Sequence, residues 1–174
     1  SSGLSAPCKS FEDMELKDGL LRGIYAYGFT KPSTIQQKAI KIITSGRDVI
    51  AQSQSGTGKT GTFAISTLEV VDSSKNYCQG LILTHTREMA IQNMGVIKAL
   101  SQYIDPKPKI CCCYGGSNVQ DNINTIKRGT HIVVGTPGRV YDMMNRKVLD
   151  ISKVKIFVLD EADSLLDELF RVRF

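Results

Sequence analysis

The chain has 174 residues, 41% hydrophobic and 22% charged, with a net charge of +5 and a pI of about 9.0. That balance suits one soluble globular domain with a sizeable core and excludes a charge-dominated disordered chain. No apolar run approaches the roughly 18 residues of a membrane span, and no basic-apolar leader pattern is present, so a membrane is not an expected partner.

The basic charge permits a polyanionic partner without establishing one. Five cysteines, Cys8, Cys78, Cys111, Cys112 and Cys113, are odd in number and lack paired metal spacing. In a strand Cys111 and Cys113 face one side and Cys112 the other, as small apolar residues. Buried thiols in a reducing compartment, cytoplasm or nucleus, are the expectation.

Residues 1–10 read as a flexible arm, and 11–174 as one domain. Leu20, Leu21, Ile24 and Tyr25 recur at helical spacing and predict a helix over 17–27, ended by Gly28. Ser33 and Gln36 then have the spacing of a capping box at a helix start. Gln36 also has a second reading. A side-chain amide offers one donor and one acceptor, which matches adenine N6 and N7, and Phe29 just before the helix offers a stacking face.

Residues 48–50 read as a short buried strand and 62–71 as a helix. Between them lies Ala51-Gln52-Ser53-Gln54-Ser55-Gly56-Thr57-Gly58-Lys59-Thr60, a small-residue turn ending Gly-Lys-Thr. Such a turn cradles phosphates: its glycines let successive N–H groups point inward, and the helix start adds its positive dipole end. Lys59 can reach the terminal phosphates and the Thr60 hydroxyl can ligate Mg²⁺. The strict pattern has Gly five residues before Gly58, where Ser53 stands.

Strands over 81–85, 109–114, 131–136 and 154–159 alternate with helices over 87–100, 118–127 and 139–145. Asp105 to Pro108 break the chain, and Gly115-Gly116 and Pro137-Gly138 make turns. The fold class is therefore α/β, a parallel sheet flanked by helices. Ligands of such sheets bind beyond the carboxyl ends of the strands. The last strand delivers Asp160-Glu161 to that edge, where a carboxylate can hold Mg²⁺ opposite the loop hydroxyl and its neighbour can orient or deprotonate a water. A plain helix cap is the alternative for the pair.

The order Phe11, Gly28-Phe29 to Gln36, Ala51 to Thr60, Thr86-Arg87-Glu88, Gly115-Gly116, Thr136-Pro137-Gly138-Arg139 and Asp160-Glu161-Ala162-Asp163 resembles the first RecA-like domain of the DEAD-box RNA helicases. The resemblance covers nearly the whole chain. Stretches 23–29 and 51–60 are similar to the translation initiation factor 4A branch, and the exon-junction and nucleolar relatives look much the same there.

The resemblance implies a RecA-like P-loop NTPase domain with ATP and Mg²⁺ as cofactors. It places Phe29 and Lys31 beside the adenine and Gln36 on its edge. It places Ser55, Gly56, Thr57, Gly58, Lys59 and Thr60 on the phosphates and Thr60 and Asp160 on the metal. Glu161 then activates the attacking water, and Asp163 couples to a partner domain. Thr86, Arg87, Glu88, Gly115, Gly116, Thr136, Pro137, Gly138 and Arg139 line a sequence-tolerant RNA track. A structural ion pair for Arg87 and a plain turn at 136–139 are the simpler readings.

Expected partners are RNA, the protein's own second RecA-like domain and a scaffold protein of the translation machinery. The implied activity is ATP-dependent unwinding of short RNA duplexes, with an ATP-gated RNA clamp as the alternative. A small P-loop kinase would need a lid and a second substrate pocket, which the sequence does not show. Two departures stand out. His85 replaces the proline of the pattern Ala-Pro-Thr-Arg-Glu-Leu, which frees an N–H and should loosen that turn. The stretch 169–174 leaves the pattern, and the sequence given includes neither the Ser-Ala-Thr segment nor the second domain with its arginine finger. This piece alone is therefore expected to bind nucleotide, hydrolyse it poorly and unwind nothing.

Overall fold

The computed structural model describes residues 10–45, 49–53 and 59–160. After a 3-10 turn at Phe11–Met14, helix α1 runs over Asp18–Tyr27. Gly28 ends it with φ 106°, a left-handed value that a side chain disfavours, and its N–H returns to the carbonyls of Ile24 and Tyr25. Helix α2 spans Thr34–Ile43. There follow strand β1 (Val49–Ser53), helix α3 (Lys59–Val70), β2 (Gly80–Leu83), α4 (Arg87–Ser101), β3 (Ile110–Cys113), α5 (Val119–Lys127), β4 (Ile132–Gly135), α6 (Pro137–Asn145) and β5 (Ile156–Asp160).

The five strands form one parallel sheet in the order β1-β5-β2-β4-β3. Parallel strands need helical crossovers, which cover both faces, so their residues are buried on both sides. Val133 of β4 and Leu81 and Leu83 of β2 join one core with Cys111, Cys113, Ile123, Val140 and Met143 beneath α5 and α6. Ile82, Val134, Ile156 and Val158 point the other way, into a core shared with α1 to α4. The cysteine expectation holds on this edge strand: Cys111 and Cys113 lie in the first core, their sulfurs 3.6 Å apart, and Cys112 borders the second. Burial pushes the Cys78 thiol up to about 12 and the Cys112 thiol up to about 11, so both stay protonated.

The boundaries differ from the sequence reading in an informative way. Strand β1 continues through Ala51, Gln52 and Ser53, which the sequence placed in the loop, because ladder pairing with β5 extends to Ser53. Helix α3 starts at Lys59 instead of 62, and α6 at Pro137 instead of 139, proline being well suited to a first helical turn. Residues 61–68 of α3 are all buried. Its far end is held by Lys17, whose ammonium donates to the carbonyls of Leu68 and Val71 while its backbone N–H donates to Glu69 Oε2 at 3.0 Å. Partial burial lowers the Lys17 pKa and raises that of Glu69.

Candidate nucleotide and nucleic-acid site

Register places the site. Ser53 pairs with Asp160, Leu83 with both Leu159 and Gly135, and Cys113 with Gly135. The strands therefore end level, and the segments leaving them at 84–86, 114–118 and 136–139 share one rim with Asp160 and the start of α3.

On the β1 side, Asp160 is the last residue of β5 and is 9% exposed. Its Oδ2 accepts a hydrogen bond from Asn93 Nδ2 at 3.2 Å. Thr60 lies in the first turn of α3, half-buried. A threonine hydroxyl and a carboxylate are hard oxygen donors, the set that suits Mg²⁺ rather than a soft metal. Among the described residues no cluster of three His, Cys, Asp or Glu could hold an ion alone. Ser55, Gly56, Thr57, Gly58, Glu161 and Asp163 lie outside the described residues, as does the side chain of Lys59.

The base-reading candidates stand beside α3. Ser33 Oγ accepts from the Gln36 N–H at 3.1 Å, and Gln36 Oε1 accepts from the Ser33 N–H at 2.9 Å, which completes the capping box. The structural role of Gln36 is thus present. It does not displace the recognition role, because an amide oxygen has two lone pairs. Phe29 is half-buried, its ring 5.0 Å from that of Tyr27 and 6.4 Å from that of Phe11. It also lies against α3: a Cβ built on Gly61 would stand 2.8 Å from Phe29 Cζ. Glycine at 61 lets the aromatic ring rest on the helix that begins with Lys59. Lys31 is exposed in the connection to α2.

The rim over β2, β4 and β3 holds the nucleic-acid candidates. Thr86 caps α4, its Oγ1 accepting from the Met89 N–H at 3.2 Å. The turn before it is closed even without proline: Thr84 Oγ1 donates to Thr86 O at 3.1 Å and the Thr84 N–H to Gly135 O at 2.9 Å. Arg87 and Glu88 form an exposed contact of 3.9 Å, worth little. The Arg87 guanidinium also lies 5.9 Å from the Tyr114 ring centre, next to Gly116, whose φ is +90°.

Arg139 is more committed. Nη1 donates to Ser117 Oγ at 3.1 Å and Asn122 Oδ1 at 2.9 Å, and Nη2 donates to Ser117 O at 3.0 Å. Asn122 Nδ2 in turn donates to Cys112 O at 3.1 Å. The guanidinium thus fastens the turn at Gly115-Gly116 to the start of α6, where Thr136, Pro137 and Gly138 lie. Sequence reasoning missed Asn93, Ser117 and Asn122. Asn93 did leave a signal, since it interrupts the buried stripe Ala90, Ile97 and Leu100 of α4 at helical spacing. The other two are local hydrogen-bonding partners that no motif spacing marks.

A parallel sheet with a small-residue loop leading into α3 beside a strand-end carboxylate defines the phosphate-loop class of nucleotide-binding α/β domains. The DEAD/DEAH box helicase family model matches residues 33–174. The chain belongs to the DEAD/DEAH box helicase family. It is 55% identical over 162 residues to Eukaryotic initiation factor 4A of Drosophila melanogaster, covering 93% of this chain and 40% of that protein. It is 53% identical over 162 residues to the ATP-dependent RNA helicase FAL1 of Coccidioides immitis, with the same shares of 93% and 40%. Among solved structures, a DEAD box protein from the hyperthermophile Methanococcus jannaschii superposes with a TM-score of 0.82 at 40% identity, over 94% of this chain and 44% of that one. Dbp5 of S. cerevisiae bound to RNA and ADP BeF3 gives 0.79 at 39% identity, over 92% and 40%. The chain thus spans about two fifths of the length of these relatives.

Proposed function

We propose that this chain is the ATP-binding half of an ATP-dependent RNA helicase acting in translation initiation, and that it binds RNA through backbone contacts on the same rim. The observation that carries this reading is the Ser53–Asp160 register. It sets the strand entering the phosphate loop beside the strand bearing the carboxylate, with Phe29 against the helix that leaves the loop.

In this reading Lys59 and the loop N–H groups bind the phosphates, Gln36 selects adenine and Phe29 and Lys31 flank the base. Thr60 and Asp160 would hold Mg²⁺, which when bound would neutralise phosphate charge. Glu161 accepts a proton from the attacking water. Thr86, Arg87, Gly116 and Arg139 hold the RNA sugar-phosphate chain, whose contacts position without reading sequence. Asp163 couples this domain to a second RecA-like domain that completes the catalytic site, so the isolated chain turns over slowly. A scaffold protein of the translation machinery is the further partner and the cytoplasm the place of action. The similarity to initiation factor 4A supports these assignments.

The test is ATP hydrolysis by the full-length polypeptide that carries this domain, with and without single-stranded RNA. RNA should stimulate turnover, and Lys59→Ala and Glu161→Gln should remove it. Turnover indifferent to RNA would overturn the helicase reading.

A further inference from the structure

Asp160 is a buried carboxylate, and a buried polar group needs hydrogen-bond partners. One donor comes from an unexpected place, the middle of α4. Asn93 is 4% exposed, and its Nδ2 donates to Met89 O at 2.9 Å and to Asp160 Oδ2 at 3.2 Å. The two bonds have different jobs. The one to Met89, a turn earlier on the same helix, pins the amide plane to rigid backbone. The second N–H is then presented to the carboxylate in a fixed direction.

From this geometry we infer that Asn93 is a positioning residue for Asp160, setting the carboxylate orientation in which it receives Mg²⁺. The inference rests on the proposed role of Asp160 as the metal-holding group. An amide is suited to this task on chemical grounds. The terminal torsion of an aspartate is broad and roughly two-fold, so an ungripped carboxylate samples many orientations. A lysine or arginine would grip it but would also neutralise the charge that attracts the cation. Leucine, similar in size, would leave Oδ2 without this donor. A neutral N–H fixes the oxygen and leaves the negative charge available, and outer-shell donors of this kind tune metal affinity by about 10–100-fold.

The experiment titrates Mg²⁺ into the whole chain saturated with a fluorescent ADP analogue, for wild type, Asn93→Leu and Asn93→Gln. The magnesium concentration at half-effect is read beside the analogue's affinity in EDTA. Wild type and both variants should bind the analogue alike in EDTA. The half-effect concentration should rise about 10–100-fold in Asn93→Leu, and Asn93→Gln, which keeps an amide donor, should fall between. An unchanged half-effect concentration in Asn93→Leu overturns the inference. So does an equal loss of binding with and without magnesium, which marks a packing role. A wild-type chain whose nucleotide binding ignores magnesium overturns the reading of Asp160 itself, and the inference with it.

Discussion

Ser53 and Asp160 are register partners in adjacent parallel strands, although 107 positions separate them in the chain. The ends of β1 and β5 therefore lie side by side, held by ladder hydrogen bonds instead of by surface side chains; on the proposed reading they position the phosphate-binding stretch and the metal-holding carboxylate. Lys59→Ala removes a charged donor to phosphate, worth about 1.5–3 kcal/mol, or roughly ten- to hundredfold in nucleotide affinity. Asp160→Asn should leave magnesium-free nucleotide binding intact and abolish the magnesium-dependent part. Titration of a fluorescent ADP analogue with magnesium or EDTA checks both. Equal losses in the two conditions for Asp160→Asn would contradict the assignment.

Gln36 caps α2 and, on the proposed reading, also selects adenine, and one substitution can separate the two. Glutamate at this position preserves the carbonyl oxygen that accepts from the Ser33 N–H, and Ser-x-x-Glu is itself a capping box. It removes the amide donor that adenine N7 requires. Gln36→Glu should therefore keep the thermal unfolding midpoint and lose the preference for ADP over GDP. Gln36→Ala should lose both, with about 1 kcal/mol of helix stability gone. Competition between the two nucleotides and a melting curve provide the readouts. A Gln36→Glu chain that still prefers adenine would leave Gln36 as a cap alone.

Most of this architecture was legible because strand and helix periods are local. The apolar runs at 81–83, 132–134 and 156–159 marked buried parallel strands, and glycine and proline marked their ends. The Gly58-Lys59-Thr60 stretch and the strand-end Asp160-Glu161 could likewise be read from residue types and spacing, whereas the nucleic-acid candidates at 86–88, 115–116 and 136–139 came from the family resemblance. Other features depend on tertiary contact. Nothing local to Ser53 shows that the ladder extends to it, since that depends on β5 alongside. Nothing in Gly61 by itself shows that the Phe29 ring lies on it. The acceptors that hold Arg139 and the donor that holds Asp160 come from positions 17 to 67 residues away, a separation that no pattern of spacing encodes.

Gly61 is where the Phe29 ring rests on α3. A Cβ at 2.8 Å from Phe29 Cζ is closer than van der Waals contact allows, so Gly61→Ala must push the ring away from α3. Overpacking of this kind costs about 1–3 kcal/mol. The double variant Gly61→Ala with Phe29→Leu should recover part of that loss, because the smaller side chain leaves room. Nucleotide affinity should stay low in the double variant, since the aromatic face is gone. Denaturant midpoints together with nucleotide titrations test the pair, and additive destabilisation would argue against the contact.

Arg139 acts on the turn at 115–117 through geometry as well as charge. Its fork spans Ser117 Oγ, Ser117 O and Asn122 Oδ1, three acceptors that a lysine ammonium cannot reach together. Arg139→Lys should therefore weaken single-stranded RNA binding nearly as much as Arg139→Ala, by several-fold, and Asn122→Ala should give a smaller loss in the same direction. Fluorescence anisotropy at two salt concentrations measures this. Wild-type affinity in Arg139→Lys would show that charge alone is at work.

His131 gives the fold a pH dependence at the end of the sheet opposite the rim. The imidazole is 3% exposed, and its Nδ1 accepts from the Lys109 N–H at 2.9 Å. Burial lowers its pKa in the folded state, and the nearby Lys109 charge lowers it further, while the Ser73 carbonyl and Asp72 oppose the shift. The unfolded chain then binds a proton more readily than the folded one, so stability rises with pH across this window. His131 contributes fully above the unfolded value of about 6.5, and the contribution fades as pH falls towards the depressed folded value. Protonation would also remove the Nδ1 lone pair that Lys109 uses. An asparagine side chain would keep an acceptor near that position without titrating, so His131→Asn should lose less stability than wild type between pH 7.5 and 5.5. Urea unfolding at the two pH values decides it, and parallel losses in the two chains would place the acid sensitivity elsewhere.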